Sequence, residues 1–123
     1  VGRIAMLADP QGTSFYAMAP EGEGESRCFS RELGGHCGWN ELHVPDARAA
    51  RDFYARHFGW RDLGGFDAGD AALGTRFGLG GEGGACDAVG SIVADATVGR
   101  PYWLCAFNVD DVDAAARRLR AAG

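Results

Sequence analysis

The sequence predicts an α+β domain of paired βαβββ modules forming a curled mixed sheet. Two observations carry this. The segment Leu42 to Tyr54, shifted by 65 residues, falls on Phe107 to Leu119, so that Val44 meets Val109, Asp46 meets Asp111 and Ala49-Ala50 meet Ala114-Ala115. Both copies read as strand, acidic cap, helix, and such a repeat implies two related modules in one small domain. Twenty glycines in 123 residues, well above the usual ~7%, add many turns and close backbone approaches.

Taken in order, residues 2–8 and 13–18 alternate as two strands around Asp9-Pro10-Gln11-Gly12. Pro at the second and Gly at the fourth turn position make this a β-hairpin. Residues 21–36 are rich in Gly, Glu, Ser and Arg without periodicity and read as a linker. A strand follows at Trp39–Val44. Pro45-Asp46 then opens a helix to about His57, with Ala50, Phe53, Tyr54 and Phe58 on one stripe and Gly59 as its stop. His57, in the last turn, reads as a surface residue suited to the helix dipole.

Three glycine-broken strands are expected near 60–66, 71–79 and 85–93, and another at Trp103–Val109. Asp110-Asp111 cap a second helix carrying Val112, Ala115, Ala116 and Leu119 on one face.

Composition limits the function. Hydrophobic residues make up 46% and charged residues 24%, enough for a buried core. No apolar run approaches the ~20 residues that span a bilayer, and no signal-like N-terminus stands out, so the expectation is a cytoplasmic protein with no membrane partner. All twelve basic residues are Arg, which excludes a Schiff-base lysine. The net charge of −5, without a basic stripe, speaks against nucleic acid. Cys28, Cys37, Cys86 and Cys105 contain no CxxC pair and read as reduced thiols, Cys105 as core. Cys28, His36 and Cys37 match no zinc-finger spacing and lack an evident fourth ligand.

Trp39-Asn40-Glu41-Leu42, Asp46 through Phe53-Tyr54, Phe58-Gly59-Trp60, Tyr102-Trp103 and Val109 through Ala114 together resemble the vicinal oxygen chelate superfamily. That superfamily includes glyoxalase I, bleomycin-resistance proteins and extradiol dioxygenases. Its tandem glyoxalase-like subgroup, often labelled as hydroxylases or antibiotic-biosynthesis proteins, looks nearest. The hairpin Gly2–Met18 looks like the element that closes the second module, yet here it comes first. The chain therefore reads as one domain: closing hairpin 1–20, linker 21–36, first module 37–103 and start of the second module 104–123. The second module is thus permuted and incomplete, short by about a strand; either the domain is circularly permuted or it spans parts of a longer tandem ancestor.

The resemblance implies a divalent metal held by His and Glu on inward strand positions. Residue by residue, those positions fall on Trp39, Leu104 and Tyr16, none of which binds such a metal normally, and on an unplaced fourth near 84–94. The expectation is therefore no metal and no cofactor. Strand alternation then sends Trp39, Glu41 and His43, Leu104, Ala106 and Asn108, and Ser14, Tyr16 and Met18 into one cup, with Leu42 and Val44 under the helix. Glu41 and His43 could form an acid–base pair or an ordinary salt-linked one. Trp39 and Tyr16 could wall a pocket or simply fill it. The functional reading is a metal-free binder of a small antibiotic or aromatic metabolite. The alternative is an enzyme of the same superfamily, a lyase, dioxygenase or hydroxylase-like protein acting on a small oxygenated substrate. A short second sheet leaves an exposed edge, which predicts a homodimer, with exchanged strands as one route to it.

Overall fold

The computed structural model describes residues 2–22, 28–68, 73–79 and 87–123. It contains strands β1 (Arg3–Ala8), β2 (Ser14–Ala19), β3 (Cys37–Val44), β4 (Arg61–Asp67), β5 (Leu73–Gly78), β6 (Ala88–Ala94) and β7 (Tyr102–Phe107), and helices α1 (Ala47–Phe58) and α2 (Val112–Ala121). The fold is α+β, as the repeat predicts. Expected strand ends at 71–72 and 85–86, and Cys86 with them, lie outside the described residues, and the last strand stops before Asn108.

Five strands form one mixed sheet in the order β4-β5-β6-β3-β7. β3 and β6 run parallel, and α1 lies within the crossover between them, as a parallel pair requires. β7 pairs antiparallel with the other side of β3. The two copies of the repeat thus meet at β3 and β7.

Capping explains where the helices begin. Asp46 accepts the Ala49 N–H at 2.9 Å, and Asp111 accepts the Ala114 N–H at 2.8 Å. Gly59 ends α1 in the left-handed region at φ 68°, returning its N–H to Ala55. Beneath α1, Leu42, Val44, Ala50, Tyr54, Phe77 and Ile92 form the core. Leu42 and Val44 are fully buried there, as alternation along β3 requires.

An aromatic cluster extends this core. Trp60 stacks between Tyr54 (4.5 Å) and Phe77 (4.1 Å), while Trp103 meets all three rings edge-on. Gly90 makes room for it. A Cβ there would stand 2.2 Å from the Asn40 carbonyl oxygen and 2.5 Å from the Phe77 ring.

Three expectations need correction. Among the described residues the hairpin does not close the main sheet: β1 and β2 pair with each other and with no other described strand. Asp9 and Gln11 fasten its turn to α1, and Phe15 packs edge-on against Tyr54 and Phe58. This holds the hairpin on the helix side of the sheet. Cys105 is exposed rather than core, because β7 is an edge strand and α2 does not cover it. Indeed α2 buries only Ala115, leaving Val112 and Leu119 over 70% exposed. Finally, residues 28–36 are tied down rather than a free linker. Cys37 N–H donates to Cys28 O, Ser30 N–H to Cys37 O, and Asn108 Nδ2 to the carbonyls of Ser30 and Leu33.

Candidate functional site

The face of the sheet opposite α1 carries a continuous polar chain. Trp39 Nε1 donates to Ser91 Oγ at 3.1 Å, and Ser91 Oγ donates to Glu41 Oε2 at 2.9 Å. The other carboxylate oxygen, Oε1, pairs with His43 Nε2 at 2.7 Å. His43 in turn stacks on Tyr102, 4.9 Å between nearly parallel rings.

Register explains the assembly. Glu41 lies opposite Ser91 on β6 and Leu104 on β7, and Arg76 on β5 lies opposite Ser91. Residues directly opposite across a ladder share a face. Leu104, Glu41, Ser91 and Arg76 therefore form one row across four strands. The next row holds Tyr102, His43, Val93 and Gly74, with Phe66 opposite Gly74 and under the Arg76 guanidinium. Arg31 lies 5.8 Å over the Trp39 ring.

Ser91 is fully buried, and both its hydrogen bonds are made inside this chain. Its role is to lock the Trp39 and Glu41 side chains in place. Glu41 and His43 side chains retain 30% and 17% exposure, so their pair borders solvent. With Nε2 on the carboxylate, His43 Nδ1 is a buried ring nitrogen without a partner among the described residues. Beyond the end of β6, hydrogen bonds from Thr97 hold the Asp95 carboxyl below its ordinary range.

The nine expected site residues separate. Trp39, Glu41, His43, Leu104 and Ala106 share the open face. Asn108 does not join them, because its amide is spent on the 30–33 carbonyls. Ser14 and Tyr16 line a cleft of about 520 Å³ on the opposite, helix side of the sheet, together with Trp60, Phe77, Trp103 and Cys105. Met18 stands 64% exposed on the hairpin. The hairpin's anchorage to α1 causes this split, since it carries β2 to the side away from Glu41.

Neither Ser91 nor Tyr102 is among the site residues that the sequence predicts. Ser91 had a signal: it is the one polar side chain in the apolar strand Ala-Val-Gly-Ser-Ile-Val-Ala. A lone hydroxyl at a fully buried strand position needs hydrogen-bond partners there.

The glyoxalase/bleomycin resistance protein/dioxygenase superfamily model matches residues 35–123, well over half of the chain. The protein belongs to this superfamily. No curated protein matches the chain. Among solved structures, a selenomethionine crystal structure of methylmalonyl-CoA epimerase is similar at 20% identity, covering 71% of this chain and 70% of that one, with a TM-score of 0.48.

The residues of this superfamily member do not fit the divalent ion that the fold family implies. An indole N–H and a leucine side chain stand at Trp39 and Leu104, and neither has a lone pair to give. Tyr16 is held on the other side of the sheet, and no group of three His, Cys, Asp or Glu among the described residues could hold an ion.

Proposed function

We propose that this superfamily member binds a small oxygenated or aromatic molecule on the open face of its sheet, without a resident metal. The observation that supports this is the Trp39–Ser91–Glu41–His43 chain. A fixed half-buried indole and a solvent-bordering carboxylate–imidazole pair offer a ring surface and polar hydrogen-bonding groups at alternate positions along one strand. Arg31 lies over the Trp39 ring and Arg76 over the Phe66 ring, which brings two guanidinium groups to this face for ligand oxygens.

Small molecules released from the purified protein, identified by mass spectrometry and added back during NMR titration, test this reading. The expected result is a saturable shift of the Trp39 indole N–H signal that Ser91→Ala weakens. An indole signal that no released or added aromatic acid, amide or phenol moves would overturn it.

A second reading is catalysis by the same pair. With its ring held by the Glu41 carboxylate at the border of solvent, His43 belongs to a grouping that acid–base chemistry uses. Turnover of a bound molecule that His43→Gln abolishes while binding survives would favour the enzyme over the binder.

The assembly proposed is a homodimer. The outer edge of β7 has no strand partner among the described residues, and Val112 and Leu119 on the apolar face of α2 are largely exposed. Sedimentation equilibrium over a wide concentration range checks this, with a monomer throughout counting against it. The Cys37 and Cys105 thiols, unbridged among the described residues, suit a reducing compartment, in keeping with a cytoplasmic location.

A further inference from the structure

The helix-side cleft is physically separate from the open face, because alternation along β3 puts Asn40 in its wall and Glu41 on the other side. It exists because of how the hairpin is held. Asp9 and Gln11 fix the turn, and Phe15 reaches down to Tyr54 and Phe58. The rest of the hairpin overhangs the sheet: every residue of β1 is exposed, and Tyr16 is 71% exposed.

Three features of the cleft define what it would hold. Its volume of about 520 Å³ falls within the range of small-molecule sites, roughly 300–1,000 Å³. Its walls are mainly rings: the Tyr54–Trp60–Phe77 stack, Trp103 edge-on to it, and Phe15, Tyr16 and Phe58 at the hairpin side. Among the described residues no charged side chain lines it, and the side chains with polar atoms are the neutral Ser14, Tyr16, Asn40, Tyr54, Trp60, Trp103 and Cys105. Partial desolvation of the sulfur against the cleft pushes the Cys105 thiol up from its ordinary range, so it presents a protonated, weakly polar wall.

We infer that this cleft is a second binding site, for an uncharged planar aromatic molecule that bridges the hairpin to the sheet. Aromatic walls favour a ring that stacks or meets them edge-on. No countercharge stands among the described lining residues, so an ionised ligand would lose hydration that they do not replace. A molecule held here touches β2 on one side and β7 on the other, so binding would also fasten the overhanging hairpin.

Indole is a suitable probe, with indole-3-carboxylate as the same ring system bearing a charge. In NMR titration of the intact chain, indole should produce saturable shifts at the Trp60 indole N–H and at the Ser14 and Tyr16 amides, leaving Trp39 unmoved. Amide exchange in β1 and β2 should slow on saturation. At the cleft, read from the Trp60 and Ser14 signals, the carboxylate should bind at least about tenfold more weakly, the penalty for an unpaired charge. Cys105→Phe, which fills the cleft, should abolish the shifts, and Tyr16→Ala, at an exposed rim position, should weaken binding several-fold without disturbing the core.

Three results would overturn the inference: no saturable shift up to the solubility of indole, equal binding of the carboxylate, or shifts at Trp39 in place of Trp60. The same Ser14, Tyr16 and Trp60 shifts on raising protein concentration alone would also overturn it, making a second copy the occupant. Should Cys105→Phe fail to fold, Tyr16→Ala decides. A silent cleft with an active Trp39 leaves the open-face proposal intact, and the reverse outcome separates them equally well.

Discussion

The side chain of Gln11 closes a ring of two hydrogen bonds with the backbone of Asp46. Nε2 donates to the Asp46 carbonyl and Oε1 accepts the Asp46 N–H, each at 2.9 Å. A single carboxamide thus stands in for a neighbouring strand at the entrance to α1. The same Asp46 caps the helix with its side chain. Gln11→Ala should cost about 1–3 kcal/mol, two net hydrogen bonds, and the loss should concentrate in the hairpin. Faster amide exchange at Thr13 and Phe15, with the β3 and β6 amides unchanged, is the expected signature. Uniform acceleration across the sheet would show that the clamp is not local.

Tyr54 donates its hydroxyl to buried Asp9 at 3.2 Å, while Asp9 also accepts the Gln11 and Thr13 N–H groups. Burial, reinforced by the Asp9 charge, raises the Tyr54 pKa well above its ordinary value. The folded protein therefore keeps this proton where the unfolded chain has lost it. Stability from this group is complete below the ordinary tyrosine value of about 10 and falls as pH rises beyond it. Tyr54→Phe should cost about 1.5–3 kcal/mol at neutral pH, the worth of a hydrogen bond to a charged group. It should also flatten the alkaline loss. Urea melts of both proteins from neutral to alkaline pH measure the two effects together.

Gly90→Ala places a methyl against the Asn40 carbonyl oxygen, a backbone atom on the neighbouring strand, and against the Phe77 ring. Neither can withdraw cheaply. An overpacking cost of about 1–3 kcal/mol is expected, read as a lowered denaturation midpoint. Gly99→Ala, where the new Cβ meets nothing within 4 Å, is the matched control and should be close to neutral.

Chelation should leave the protein unchanged. A site built on Trp39 and Leu104 offers no divalent ion a ligand, so EDTA treatment should not shift Tm, and added Zn²⁺, Mn²⁺ or Ni²⁺ should not raise it in a saturable way. A saturable rise with any of these ions, lost on removing Glu41 or His43, would contradict the assignment.

The repeat between Leu42–Tyr54 and Phe107–Leu119 made the architecture legible, because strand, cap and helix recur in the same register. Asp46, Gly59 and Asp111 mark the helix ends through local chemistry alone. The open-face positions of Trp39, Glu41, His43 and Leu104 were legible for a similar reason, since alternation needs only the strand and one buried residue. The placement of Ser14 and Tyr16 was not. It depends on the Asp9–Tyr54 and Gln11–Asp46 contacts, 45 and 35 residues apart in the chain, which no local pattern encodes. Cys105 misled for the opposite reason: an apolar run reads as core whether or not a layer covers it, and β7 lies at an edge.

Along β3, Leu42 and Val44 hold the domain together, while Glu41 and His43, their immediate neighbours, face away from that core. Evolution can therefore edit every second codon of this strand with little consequence for folding. A lineage could exchange its chemistry at 39, 41 and 43 while the intervening letters stay fixed by packing. Inheritance of the scaffold and inheritance of the activity are interleaved here one residue at a time, and they are free to follow separate histories.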